Sequence, residues 1–153
     1  MNRLNFAATF ALLLAMATGM SAQGFQVYPG ATKFTPPATE KALQAMPPNA
    51  RETIYFTHDS FEKVVAFYKD LGKIHPPAFM KNGAKLPGGQ PLQETFFIFD
   101  GSTTLTLSNR WAKIERPYVG AIDLKGATPE YGDIRDVTAI FFIAKKPAKW
   151  PEK

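Results

Sequence analysis

The chain contains no cysteine. Disulfides, thiolate zinc sites, iron–sulfur clusters, covalent haem attachment, cysteine nucleophiles and the lipidated cysteine of a bacterial lipoprotein are therefore all excluded. Histidine is nearly absent, with His58 and His75 alone. Nor does the chain carry a Gly-x-Ser-x-Gly elbow, a phosphate-binding Gly-rich loop, a dinucleotide fingerprint, a His-Glu-x-x-His helix or a calcium loop. A hydrolase, kinase or dehydrogenase of a common type carries at least one of these. The sequence thus leans away from an enzyme, and no catalytic residue, metal or cofactor is assigned.

Long apolar runs are missing except at the amino end, where Asn2 and Arg3 precede an uncharged stretch from Leu4 to about Met20, followed by Ser21 and Ala22. The run is somewhat short for the roughly 20 residues of a membrane span and follows one positive charge, the pattern of a signal peptide. Residues 1–22 are read as that leader, with cleavage after Ala22, although Met20 is large for its place in the site; an uncleaved anchor is the rival. Without a twin-arginine pair or a cysteine to lipidate, the product is expected in the periplasm or the exterior, with no transmembrane segment after cleavage. What remains is 131 residues with 17 basic and 13 acidic side chains. A net charge of +4 spread among interleaved acids does not suit nucleic acid, which selects basic charge gathered on one face. Only Lys145, Lys146, Lys149 and Lys153 cluster, and residues 147–153 read as a solvated basic tail.

All 13 prolines lie beyond the leader. Those at 29, 36, 37, 47 and 48 make residues 23–50 an irregular N-terminal segment, with a helical turn or two from Thr39 to Met46. Residues 51–146 read as one α+β domain. Ile54, Tyr55 and Phe56 mark a strand over 52–57. From Asp59 to Gly72, the apolar residues Phe61, Val64, Val65, Tyr68 and Leu71 recur at the spacing of one helix face. That predicts a helix over about 60–71, with Asp59 or Ser60 as cap, Asp59 completing a capping box with Glu62, and Gly72 as its stop. Residues 73–93 read as a long Pro- and Gly-rich loop, a length that is often functional. Strands are expected over 94–100 and 103–109, joined by Gly101-Ser102 as a hairpin, and over 137–144. Residues 110–135 stay ambiguous, with strand character through Ile114 and near Ala121 to Leu124. The expected fold is one main amphipathic helix packed on an antiparallel sheet of four or five strands.

Three constellations invite chemistry. His58-Asp59-Ser60 holds a base, a carboxylate and a hydroxyl, but adjacent side chains diverge and helix capping already employs two of them. A metal shared by His58, His75 and Asp59 would require folding back along a helix of about 16 Å. The late carboxylates Asp123, Glu130, Asp133 and Asp136 suit glycoside chemistry only if two are fixed across a cleft, and solvated charge is the simpler account. Aromatic side chains on loops can stack on sugars or peptides. On that basis Trp111, Tyr118 and Tyr131, with His75 and Phe79 from the long loop, are the candidate binding residues.

Tyr28-Pro29-Gly30-Ala31, the run Thr57-x-Asp59-Ser60-Phe61-Glu62-Lys63-Val64-Val65-Ala66-Phe67-Tyr68, and Asp136-Val137-Thr138-Ala139-Ile140 together carry a resemblance. The chain resembles small exported bacterial proteins of unassigned activity that share a Tyr-Pro-Gly-Ala opening and a Val-x-x-Phe-Tyr helix. This resemblance implies an exported α+β domain and carries over no catalytic residues. The expectation is an exported binding or accessory domain whose partner is an envelope protein, a cell-wall component or a small ligand; an exported hydrolase using His58 or the late carboxylates is the alternative.

Overall fold

In the computed structural model, residues 24–37, 49–75, 85–123 and 129–146 are described. The leader, the helical turn expected over 39–46, Phe79 and the basic tail lie outside them. Among the described residues, eight strands and one helix follow in order: β1 (Thr32–Phe34), β2 (Ala50–Thr57), α1 (Phe61–Lys69), β3 (Lys73–His75), β4 (Gln93–Ile98), β5 (Arg110–Arg116), β6 (Tyr118–Asp123), β7 (Glu130–Arg135) and β8 (Thr138–Lys145). The architecture is α+β and antiparallel, as expected. The strand count is larger: a six-stranded sheet in the order β1-β2-β8-β5-β4-β3, with β6 and β7 forming a separate two-stranded ribbon. Short edge strands account for the difference. Both β1 and β3 have three residues, too few to show a period of two in a Pro-rich context.

Helix α1 begins where Ser60 accepts a hydrogen bond from the Lys63 amide at 3.3 Å. Asp59 does not act as the cap. Its carboxylate instead receives the Tyr28 hydroxyl at 2.7 Å and the Lys63 ammonium at 2.9 Å. At the other end Gly72 donates to the Tyr68 carbonyl at 3.0 Å. A side chain there would collide with Phe99, whose ring carbons stand 2.7 Å from where a Cβ would lie. Close approach to the sheet, rather than left-handed backbone, is what calls for glycine at this position.

The hairpin expected over 94–109 forms with a different second arm. Strand β4 pairs with Arg110–Arg116, not with Thr103–Asn109. Asp100 organises the intervening residues as a turn: its carboxylate accepts from the amides of Ser102, Asn109 and Arg110 and from the Ser108 hydroxyl, at 2.6–3.2 Å. Burial works against the charge, yet these donors hold the Asp100 carboxyl down at about 2. The alternation of Leu105 and Leu107 is therefore incidental, and Leu107 is 65% exposed.

Side chains alternate across the sheet, so the register sorts them onto two faces. One face presents Tyr55, Phe97, Phe99, Ala112, Ile114, Ile140 and Phe142, and it packs against Val64, Tyr68 and Leu71 of α1 and against Phe25 and Tyr28. The other presents Phe34, Ile54, Phe56, Trp111, Ala139, Phe141 and Ile143. Tyr118, at the base of the ribbon, packs there on Phe56 at 4.7 Å and Phe34 at 5.6 Å between ring centroids. With both faces covered, β8 reads Ile140-Phe141-Phe142-Ile143 without alternation.

Candidate functional site

The second face contains charge as well as hydrocarbon. On β5, Lys113 lies between Phe96 of β4 and Phe141 of β8, while Glu115 lies between Glu94 and Ala139. The same parity places Glu52 of β2 opposite Ile143 and His75 of β3 opposite Phe96. Rigid strands, not loops, thus set the spacing of Glu52, Glu94, Lys113 and Glu115. The Lys113 ammonium is 2.6 Å from Glu115 Oε2 and 3.7 Å from Glu94 Oε1, and it sits 4.2 Å above the centroid of the Phe141 ring. Glu115 Oε1 accepts the Val119 amide at 2.9 Å, tying the cluster to the first residues of β6.

Two carboxyl groups thus share one ammonium in a sheltered place, with Glu52 on the same face. The side chains of Glu115, Glu94 and Lys113 are 3%, 14% and 19% exposed. Burial, reinforced by the adjacent Glu115 carboxyl, pushes the Glu94 carboxyl up to about 7 against the attraction of Lys113. Burial likewise raises Glu52, with Lys113 opposing and Glu115 adding to the shift. Such a group exchanges a proton near neutrality, and as a neutral acid it donates a hydrogen bond that a carboxylate cannot. Among the described residues no group of three or more His, Cys, Asp or Glu side chains is arranged to hold a metal ion.

Of the residues singled out by sequence, Trp111 and His75 lie on this charged face, on β5 and the edge strand β3. Both are half-buried, and the Trp111 ring stands 5.9 Å from that of Phe96. Tyr118 differs from the expectation of a displayed loop aromatic: it is 2% exposed, its ring enclosed by Phe34, Phe56 and Phe141. Tyr131 is on β7, across from Ile122. Strand β4 lies between β3 and β5, so His75 and Trp111 are held two strands apart on the same face.

The two hydrolytic constellations fare differently: Asp123 and Glu130 come to lie opposite one another across the β6–β7 ribbon, while Asp59 and Ser60 are engaged elsewhere than with His58. His58 is exposed, and the two oxygens of its neighbour Asp59 are engaged by Tyr28 and Lys63, which hold that carboxyl below the usual range. Asp133 pairs with Arg135 at 2.6 Å and Asp136 with Arg116 at 2.8 Å. Arg135 also stacks over Phe34 at 4.7 Å, and Arg116 donates to the Asp59 carbonyl and the Thr138 hydroxyl, each at 3.1 Å. These acids brace arginines that pin the ribbon and the start of α1 to the sheet.

Sequence reading passed over Glu52, Glu94, Lys113 and Glu115, which are up to 63 residues apart in the chain. The available signal was a charged residue inside a strand otherwise apolar at both parities, as with Glu94 before Phe96 to Phe99. No protein-family model matches the chain, and no curated protein or solved structure matches it.

Proposed function

We propose that this chain is an exported, non-catalytic binding domain whose ligand engages the charged face of the sheet at Glu94 and Lys113, flanked by Trp111 and His75. The observation that carries the reading is the cluster itself: a carboxyl poised near neutrality, held beside an ammonium on rigid strands within an aromatic surround. A structural core gains little from charge in such a place, since desolvating ions costs more than their attraction commonly returns. A recognition site does gain, because fixed donors and acceptors on rigid elements set ligand orientation. The leader pattern and the Tyr28-Pro29-Gly30-Ala31 and Val64-x-x-Phe67-Tyr68 motifs support export through resemblance to small exported bacterial proteins. A polar small molecule or a cell-wall fragment suits the site, since each offers hydroxyl, amide or amine groups to a carboxyl–ammonium pair.

Native mass spectrometry of the processed protein, isolated from envelope extract, tests this. The expected result is a retained adduct that disappears in both Lys113→Met and Glu94→Gln. A bare polypeptide mass for the wild type, or an adduct indifferent to both substitutions, counts against the site.

A further inference from the structure

Helix α1 has nine residues and is therefore about 13 Å long, whereas six strands at roughly 4.8 Å spacing extend about 24 Å across. The helix alone cannot cover its face of the sheet. Residues 24–31 cover more of it, although they belong to no strand or helix. The Phe25 ring stacks on Phe142 at 3.9 Å, meets Phe99 edge-on at 5.6 Å, and lies 5.8 Å from Tyr68 and 6.2 Å from Tyr55. Tyr68 donates its hydroxyl to the Gln26 carbonyl at 2.9 Å. Tyr28 is buried, its ring edge-on to Phe67 at 5.3 Å and its hydroxyl on Asp59. An aromatic strap thus completes the core only three residues past Ala22.

We propose, building on the export reading, that the leader is removed at a bond between Ser21 and Phe25, and that the strap so released is an obligatory part of the folded domain. One water hydrolyses one peptide bond, leaving a carboxylate on the leader and an ammonium on the mature chain. Two physical limits bracket the bond. On the upstream side the apolar run ends at about Met20, and Ser21, Ala22 and Gly24 are the small residues that leader cleavage prefers. On the downstream side the next glycine or alanine residues are Gly30 and Ala31, and a cut there removes Phe25 and Tyr28 and opens the groove between Tyr55, Tyr68, Phe99 and Phe142.

The experiment has two arms. The full chain is expressed in a bacterium, and the exported product is sequenced from its amino end and weighed intact. The first residue is expected to lie within 22–25. An exported product that begins beyond Phe25 overturns the strap proposal and leaves export standing; a chain retained whole in the cytosol overturns both. In the second arm, Phe25→Ala in the processed protein is expected to lower Tm by about 10 °C and Phe25→Leu by less than half as much. Failure of Phe25→Ala to fold also supports the proposal, with Phe25→Leu then supplying the measurable midpoint. An unchanged Tm in Phe25→Ala overturns it.

Discussion

The two faces of the sheet use the same strands and nearly the same residue types, yet they are covered differently. Under α1 and the strap, rings and branched chains meet mostly other hydrocarbon; the hydroxyls of Tyr28 and Tyr68 find oxygen partners there, whereas the buried Thr95 hydroxyl, opposite Ile114, has none. On the opposite face, Phe56 and Phe141 share the surface with Glu52, Glu94, Lys113 and Glu115. Stability is expected to reside chiefly in the first face. The second gives up hydrocarbon burial for fixed charge, the exchange expected where binding constrains composition more than folding does.

Neighbouring phenylalanines on β4 offer the sharpest way to break this comparison. Phe97 is fully buried under α1, and Phe96 is half-buried beside Trp111 on the charged face. Phe97→Ala is expected to cost about 4 kcal/mol in urea unfolding, and Phe96→Ala about 1–2 kcal/mol. Equal losses would mean that the faces are equally well packed and that the asymmetry is false.

Next in size comes Lys113→Met, which keeps most of the length of the side chain and removes the ammonium that, among the described residues, bridges Glu94 and Glu115. Leaving partly buried carboxylates without their cation is expected to cost roughly 3 kcal/mol at pH 8. At pH 5 the cost should fall by half or more, because Glu94 and Glu52, both raised, then hold their protons more readily. A loss independent of pH would show that Lys113 matters for its packing on Phe141 alone.

Local signals made α1 legible in the sequence: the spacing of Phe61, Val64, Val65, Tyr68 and Leu71 is a property of one short segment. The core of β8 was legible for a similar reason, since four successive large apolar residues suit a doubly covered strand. Thr103–Asn109 misled because alternation is shared by strands and by turns that happen to alternate, and only the four donors converging on Asp100 decide between them. The charged cluster is a product of register. Glu94 meets Glu115 across the β4–β5 pair, and Glu52 reaches the same face through β8; no local pattern in the chain records either pairing. Edge strands of three residues were missed for a different reason, because their conformation comes from the neighbour they pair with.

A middle-sized effect tests the covered face from the helix side. Gly72→Ala places a methyl group against the Phe99 ring and 3.0 Å from the Ile98 carbonyl oxygen. The last turn of α1 or the ring must shift, at an expected cost of about 1–3 kcal/mol. Thermal unfolding should show Tm lowered by several degrees, with no change in its pH dependence. A stability equal to wild type would mean that the helix end is not seated on Phe99.

The smallest effect is the most specific to the charged face. A carboxyl raised from its ordinary value to about 7 binds its proton more tightly in the folded chain than in the unfolded one. Its contribution is therefore full below pH 4.5 and is lost as pH rises through about 7. Glu94→Gln removes the titration while keeping the shape of the side chain, so the variant should equal the wild type near pH 4.5 and exceed it by about 1–2 kcal/mol at pH 8. Asp100 runs the other way: its lowered carboxyl stabilises the fold above pH 3.8 and that stabilisation is lost as pH falls through about 2. Unfolding curves taken between pH 4.5 and 8 isolate Glu94 from that turn. A difference between variant and wild type that stays flat across this range would show that Glu94 is ionised throughout and that the cluster is an ordinary ion pair. A difference that rises with pH would show that the face opposite α1 gives up stability at neutral pH to keep a carboxyl in a sheltered, partly desolvated place.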